Sequence, residues 1–539
     1  MSIFHLHGFR AHAVRQLPSL HHEHESYQWW VLANVMIGTF MAVLDATIVN
    51  VALPKIMAAF GVSVDKVEWV LTAYLLVFAV MLPTSGWVAD HFGYKRTYLL
   101  ALFLFTFGSF LCGLSWDEDA LIAFRIIQGM GAGFMMPVGM AIVTREFPPE
   151  RRGTALGFWA IAAAASVSLG PLAGGYLVDH FTWQTIFDVN VPVGLMGMFA
   201  TIVIQREYKT EHIRSFDIGG FVSVTVFLTS LLLALTSGNA AWNTGGWTSQ
   251  FMIVCYILAS LGAVTFFTIE LTVEYPLIDL GLLKNLNFGL TNVVLFIFGL
   301  GMFGSTFLLP LYLQNSLGNT AYEAGLMFLP MGILQGILAP IAGYLSDKHN
   351  PKIPAFVGVV LLAASLYMNS FISVFSERDQ IMISLYVRGI GMGLIFTPLS
   401  TLALWDIPRR KMAQASGLFN VIRQVGGSFG VAILGAMLTR RMLHHAAMYG
   451  QGIDQYSPQF RAAVAKIQLF AQHSVGGTSA ESLARAKALM MTHASNQAFV
   501  SAIGDDFFIA AAITIACVIP ILFLRVRKRN AGARAVAME

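Results

Sequence analysis

Fourteen stretches of mostly apolar residues, each near the roughly 20 residues an α-helix needs to cross a bilayer, divide this chain of 539 residues. They fall at about 29-53, 67-88, 97-115, 120-143, 153-177, 187-205, 216-236, 250-271, 287-313, 322-345, 353-374, 380-404, 414-439 and 505-525. Backbone in hydrocarbon must satisfy its own N–H and C=O groups, so spans of this kind are helices. Charged residues make up 12% of the chain, about half the share of a soluble globular domain. The fold class is therefore all-α, polytopic and membrane-embedded. The 41 Phe and 25 Met suit either an adaptable apolar cavity or plain packing and lipid-facing surface.

Placement of the bases orients the spans. Lys95 with Arg96, Arg145 with Arg151 and Arg152, Arg206 with Lys209 and Arg214, Arg409 with Arg410 and Lys411, and the run from Arg525 to Arg534 all share the side of the N-terminus. The short loops opposite hold Lys55, Lys66 and Arg378. Cytoplasmic loops are enriched in Lys and Arg, so both termini are expected in the cytoplasm. Arg440 and Arg441, tight against a span on the outer side, break the pattern without an account. The bases thus form a topology signal, with no patch suited to nucleic acid.

Residues 1-28 form a polar tail with His5, His7, His12, His21, His22 and His24 in no recurring ligand spacing, and no cleavable leader is expected there. A second tail covers 526-539. Cys112, Cys255 and Cys517 lie in three different spans, so neither a disulfide nor a metal site is expected.

The chain also repeats itself. GWVADHFGYKR, with Gly86 and Asp90, returns as GYLSDKHNPK, with Gly343 and Asp347. Arg125 followed by its glycine-rich run returns as Arg388, and Leu53-Pro54 as Leu309-Pro310, in the same order. Such weak internal repetition marks two related halves. The expected division is a six-helix half at 29-206, an inserted pair of spans with linkers at 207-286, and a six-helix half at 287-525. The second half contains a long outer loop at 440-505. Within that loop Pro458 to His473 and Ala480 to His493 read as helical, and Thr478 with Glu481 matches a capping box. The loop is equally suited to docking a partner or to covering the bundle.

Several polar residues lie where lipid should be. An Arg at membrane depth costs at least ~2.5 kcal/mol, so Arg125 either faces a partner inside the bundle or snorkels to the interface. Asp45 stands deep in the first span. An acid near an Arg in a gated cavity can change protonation as water access changes; a structural acid bonded to helix ends is the alternative, with Asn50 on the same polar wall. Gly170, Pro171, Gly174 and Gly175 give the fifth span a bare strip that can bend or pack very closely. In the loop after the second span, Asp90, Gly93, Lys95 and Arg96 could lock two helices by ion pairs and helix-end contacts. Arg388 and Arg423 could pair with Asp45, with carbonyls or with an anionic substrate. Gln128, Asp188 and Asn190 complete the candidate cavity residues.

LDATIVNVALP, GWVADHFGYKR, RIIQGMGAG, and LGPLAGGY followed by WQTIFDVNVPVG together resemble the major facilitator superfamily, and within it the fourteen-span drug:proton antiporters of the EmrB/QacA type. The similarity covers nearly the whole chain and is weakest in the first 28 residues. It implies the major facilitator fold, two six-helix halves plus two inserted helices, in a bacterial inner membrane. It implies that Asp45 and Arg125 serve proton coupling, that Gly86, Asp90, Gly93, Lys95, Arg96 and Asp347 form a cytoplasmic gate, and that Gly170, Pro171, Gly174 and Gly175 form the antiporter hinge. Two positions depart from the pattern: Tyr94 stands where a base is common, and Asp188 where an apolar or aromatic residue is usual, which would add a second titratable site.

The implied function is efflux of hydrophobic or toxic compounds in exchange for protons, with a periplasmic adaptor and an outer-membrane channel as expected partners. Uptake of a small organic solute by symport or facilitation, and a membrane sensor or scaffold, are the rival readings. No phosphate-binding loop, metal-ligand spacing or nucleophile triad occurs in the sequence, so neither an enzyme nor a cofactor is expected.

Overall fold

The computed structural model describes residues 26-208, 215-238, 240, 242-408, 411-451, 457-476 and 478-525. The histidine-rich tail before residue 26, Lys209, Arg214, Arg409, Arg410 and the C-terminal tail from 526 lie outside the described residues. The first half comprises α1 (Ser26–Phe60), α2 (Val64–Phe92), α3 (Tyr94–Gly113), α4 (Glu118–Glu146), α5 (Arg152–His180), α6 (Thr185–Asp188) and α7 (Asn190–Ile204). The inserted pair is α8 (Ile218–Ser237) and α9 (Gln250–Thr272). The second half comprises α10 (Leu286–Asn315), α11 (Ala321–Lys348), α12 (Lys352–Asn369), α13 (Arg378–Leu404), α14 (Met412–Gln451), α15 (Pro458–Val475), α16 (Ser479–Ala516) and α17 (Val518–Phe523). Among the described residues, fourteen helical segments are long and apolar enough to cross a membrane, as expected.

The sixth span is built from α6 and α7, which meet at Val189 with its backbone still in the helical region. Pro192 lacks the N–H that would bond the Asp188 carbonyl one turn back, so one bond of the helix ladder is absent at this junction. Asn190 opens α7 and is buried in the bundle.

Two seams join the halves. Along the first, α5 lies against α11 so closely that a Cβ on Gly157 would sit 2.5 Å from the Ala339 carbonyl oxygen, and one on Gly153 would sit 2.7 Å from that of Gly343. Small residues permit this approach, and tight packing holds helices together in lipid. Along the second seam, α2 meets the start of α14, where a Cβ on Gly86 would fall 2.9 Å from the Gln414 nitrogen. We call the end of the bundle carrying Asp90 and Asp347 the gate end. Both ends of the described chain lie there: Tyr27 accepts from the Arg206 N–H at 3.1 Å, and Lys352 Nζ donates to the Leu522 carbonyl at 3.1 Å.

The inserted pair packs on the outside. Leu232 of α8 meets Leu76 and Ala79 of α2, and α9 presents Ile253, Ile257, Leu261 and Val264 outward. An apolar face of this extent is at home in lipid.

The far end differs from the sequence expectation. The loop at 440-505 is mostly helix: α14 continues unbroken for 40 residues, a length of about 60 Å at 1.5 Å per residue. α16 starts with the expected Thr478–Glu481 capping box and runs straight into the last span. Both therefore overshoot a hydrocarbon layer of about 30 Å. Tyr449 and Ser501 hydroxyls meet at 2.8 Å where the overshooting parts pack together. Arg441, unexplained in the sequence, pairs with Asp505 at 3.6 Å. α12 stops at Asn369, five residues short of the expected 374, in a turn in which Ser370 N–H donates to the Tyr367 carbonyl at 3.1 Å.

Candidate functional site

α4 starts on the Asp117 cap, whose side chain accepts from the Ala120 N–H at 2.7 Å, with Glu118 and Asp119 in its first turn. Two turns further on, Arg125 points into the first half and is fully buried. It pairs with Asp45 of α1, also fully buried, through Nη1. The expectation that Arg125 faces a partner is therefore met. Its Nη1 also donates to Gln128 Oε1 at 2.7 Å and its Nε to the Val70 carbonyl at 3.1 Å. The Tyr74 ring lies 4.0 Å from the guanidinium carbon and the Phe187 ring 5.7 Å away. A desolvated cation over an aromatic face gains about 2 kcal/mol.

Gln128 and Asn190 complete the carboxylate's shell. Asp45 Oδ1 accepts from Gln128 Nε2 at 2.8 Å and from Asn190 Nδ2 at 3.3 Å. Both amides also donate to Ser109 Oγ at 3.1 Å, and that hydroxyl donates to the Phe187 carbonyl at 2.9 Å. Gly108 lets α3 come this close, since a Cβ there would lie 2.6 Å from the Gln128 nitrogen. Four helices and the start of α7 thus converge on one carboxylate. Hydrogen bonds to the remaining atoms offset the desolvation of a buried ion pair, and here they reach every polar atom of the pair except Arg125 Nη2, which has no partner among the described residues.

Other candidates lie elsewhere. Asp188 is exposed beside Gly113 at the end of α3 and is not part of the Asp45 cluster. Asn50 is exposed on the stripe of α1 that includes Thr39 and Ala46. Where that stripe passes Thr39 it receives the Trp159 indole N–H at 2.8 Å, and Trp159 lies 6.2 Å from Phe396 of the other half. Arg423 stands beside this contact, 5.8 Å from Phe396 and 5.9 Å from Phe303, with Nη2 donating to Asn420 Oδ1 at 3.3 Å. Arg388 is fully buried and donates through Nη2 to Thr306 Oγ1 at 2.7 Å, Ser305 Oγ at 3.2 Å and the Met302 carbonyl at 3.3 Å. Of the partners open to Arg388 in the sequence, it has taken a carbonyl and hydroxyls; Asp45 is already held by Arg125.

The gate residues divide between two tasks. Asp347 reaches across the seam and caps α5, accepting from the Gly153 N–H at 2.8 Å and from the Thr154 N–H and hydroxyl at 2.7 Å each. Lys95 and Arg96 stay within their own half. Lys95 Nζ donates to the Ile202 carbonyl at 2.7 Å and Arg96 pairs with Glu207 at 3.7 Å. Their backbone N–H groups also donate to Glu207, so the helices these bases tie together are α3 and the end of α7 with its linker, both within the first half. Gly93 has φ of 99°, in the left-handed region, and the Glu207 Cδ lies 2.5 Å from where its Cβ would be; only glycine is unstrained there. Tyr94 is buried, donates to Asp90 at 3.1 Å and lies 5.1 Å from the Arg145 guanidinium, so α4 supplies a base that the motif itself lacks. Tyr208, in the linker, has its phenol pushed up to about 12, first by burial and then by the Glu146 carboxylate.

Among the hinge residues, Gly174 lies against Ile48 of α1, and Pro171 meets Gly325 of α11, whose Cβ would stand 3.1 Å away. The bare strip of α5 is therefore filled on both sides, by α1 of its own half and α11 of the other.

The family model described as Major Facilitator Superfamily matches residues 35–431. The chain belongs to the major facilitator superfamily. This facilitator is 30% identical over 502 residues, 92% of its length and 93% of the relative's, to an uncharacterized MFS-type transporter, YhcA, of Bacillus subtilis. It is 33% identical to the multidrug export protein EmrB of Haemophilus influenzae, covering 78% of this chain and 82% of the relative. To EmrB of Escherichia coli it is 30% identical, covering 88% and 91%. Solved structures share the fold: the human organic anion transporter MFSD10, with a TM-score of 0.56 at 12% identity over 90% of this chain and 99% of that one, and the proton:xylose symporter XylE, with 0.58 at 12% identity over 92% and 95%. The superfamily fold and multi-pass membrane character expected from the sequence are thereby established.

Sequence reasoning missed Tyr74, Ser109 and Phe187. A small polar pair, Gly108-Ser109, interrupting the aromatic run FLFTFGSFL is the signal that could have found Ser109. Nothing in the sequence distinguishes Tyr74 or Phe187 from other aromatic residues of the spans.

Proposed function

We propose that this facilitator exports hydrophobic small molecules in exchange for protons, with Asp45 as the carboxylate that takes up and releases the proton. The observation that carries the reading is the buried Asp45–Arg125 pair, ringed by Gln128, Asn190 and Ser109. Protonating Asp45 cancels one charge of the pair and leaves the guanidinium free to change partners, which biases a two-state bundle. Asp45 is sealed by protein in this conformation, so proton exchange belongs to another stage of the cycle, when the halves part and water reaches α1.

In this reading the gate end faces the cytoplasm, and Asp347 of α11, by capping α5, holds it shut. The strip from Gly170 to Gly175 is the bearing on which the halves rock. Substrate sits between the halves near Asn50, Arg423, Phe303 and Phe396. The names of the EmrB relatives support export, and the projecting ends of α14 and α16 offer a surface for a periplasmic adaptor leading to an outer-membrane channel.

The test is ethidium transport in everted membrane vesicles energised by a proton gradient. Wild-type protein should accumulate dye and Asp45→Asn should not, although the variant is present in the membrane at a comparable level. Full accumulation by Asp45→Asn would sink the assignment.

A further inference from the structure

A second acid shares the bundle interior. Asp506, on α16, is 0% exposed, and neither of its carboxylate oxygens has a hydrogen-bond partner among the described residues. Its neighbour Asp505 is partly exposed and is bonded to His445 Nε2 at 2.9 Å and to Arg441 Nη1 at 3.6 Å, both from α14. The acid pair thus straddles a boundary, with one carboxylate in a wet ion-pair cluster and the next enclosed.

Its depth follows from two contacts between α16 and α10. Near the far end Ser316 Oγ donates to Asn496 Oδ1 at 2.7 Å. Deeper, Gly301 faces Ala510, whose carbonyl oxygen would lie 3.4 Å from a Cβ there. Antiparallel helices matched at these two points put Asp506 level with Ser305 and Thr306, the two hydroxyls that hold Arg388. Arg388 leaves Nε and Nη1 without partners. The second half therefore holds a buried base and a buried acid at one depth, unpaired.

Around Asp506, the elements packed on α16 bring few charges. α14 contributes Arg441 and His445, and α16 itself Asp505. α10 carries no charged residue, and α12 ends nearby in Asn369, whose Nδ2 is buried without a partner. The bases of α15 meet α16 further out, where Gln468 Nε2 donates to the Ser479 carbonyl at 3.0 Å. An ionised carboxylate with no donor in such surroundings costs several kcal/mol, whereas the neutral acid keeps its proton on an oxygen.

We propose that Asp506 is a second proton-binding carboxylate of the exchange cycle, reached from the far end through the His445–Asp505 pair. The inference rests on the antiport reading. A proton from water passes to the His445–Asp505 cluster and then forms the O–H bond of the Asp506 acid. On release the proton returns to water, and the anion is left at the depth of the unused Arg388 N–H groups. Carboxylates and histidines in series are the usual components of proton relays within membranes.

Two measurements on the purified full-length protein test this. Infrared spectroscopy at neutral pH should show the carbonyl stretch of a protonated carboxylic acid, lost in Asp506→Asn and kept in Asp45→Asn. Proton release on adding ethidium in weak buffer should fall about twofold in Asp506→Asn, since one of two relay carboxylates is gone. An unchanged band together with unchanged release in Asp506→Asn overturns the proposal. Absence of release from wild type overturns the antiport reading instead, and the band still decides whether Asp506 carries a proton. Should Asp506→Asn fail to fold, Asp506→Glu should shift the band while retaining release, and an unshifted band counts against the assignment.

Discussion

Asp347 of α11 accepts both the backbone N–H and the hydroxyl of Thr154 at 2.7 Å, so an acid of one half caps the first turn of a helix belonging to the other. Capping satisfies orphan N–H groups and places a negative charge at the positive end of the helix dipole. Here it also joins two bodies that must separate if transport proceeds by alternating access.

That double task predicts the outcome of removing it. Asp347→Ala should cost about 1–2 kcal/mol as a lost cap and should raise labelling of a cysteine placed at Thr154 by a water-soluble maleimide. Thr154→Val, which keeps both backbone N–H donors, should have the smaller effect on thermal unfolding in detergent. Equal effects would mean that the hydroxyl, and not the cap, holds the gate end.

The seam itself tolerates little added volume. Gly157→Val places a branched side chain where a Cβ already meets the Ala339 carbonyl oxygen at 2.5 Å. Overpacking of this kind costs about 1–3 kcal/mol, and it should reduce the yield of folded protein in fluorescence-detected size-exclusion chromatography. Gly175→Ala, with its nearest neighbour Tyr322 at 3.7 Å, should elute as wild type does.

Tyr74 contributes to the buried pair in two separable ways. Tyr74→Phe removes the hydroxyl that donates to the Ala42 carbonyl at 3.0 Å, a loss of about 1 kcal/mol, and leaves the ring over Arg125. Tyr74→Leu removes the ring as well, at a further cost of about 2 kcal/mol. Thermal stability in detergent should therefore fall in the order wild type, Tyr74→Phe, Tyr74→Leu, and export should be more sensitive to the second change.

The surface pair at the gate end should matter least. Arg96 and Glu207 meet at 3.7 Å with Arg96 74% exposed, and exposed pairs contribute about 0–1 kcal/mol. Arg96→Gln should leave unfolding nearly unchanged. Glu207→Ala should cost more, because it also strips the acceptor from the backbone N–H groups of Lys95 and Arg96.

What the sequence could settle was set by the solvent. A hydrocarbon layer accepts helices of about 20 apolar residues, so the number of spans and their approximate limits followed from composition along the chain, whereas the choice for Arg125 between a buried partner and the interface did not. Short-range chemistry was equally legible: the Thr478–Glu481 cap and the glycine at residue 93 depend on neighbours a few residues apart. The repeat located Asp347 as the counterpart of Asp90.

Tertiary structure decided which buried groups share a site. Asp45 and Asn190 lie 145 residues apart, and Asp45 and Arg125 80; nothing in an apolar span specifies which neighbouring helix a side chain faces. The same indeterminacy separated Asp188 from Asn190: two residues apart on a helix they point to nearly opposite sides, and only the packing of the span decides which side is buried. Hydropathy likewise could not show that α14 and α16 continue beyond the membrane, since outside hydrocarbon a helix needs only a narrow apolar stripe toward its neighbour, as at Ala486 and Ala498, and its mean hydropathy falls accordingly.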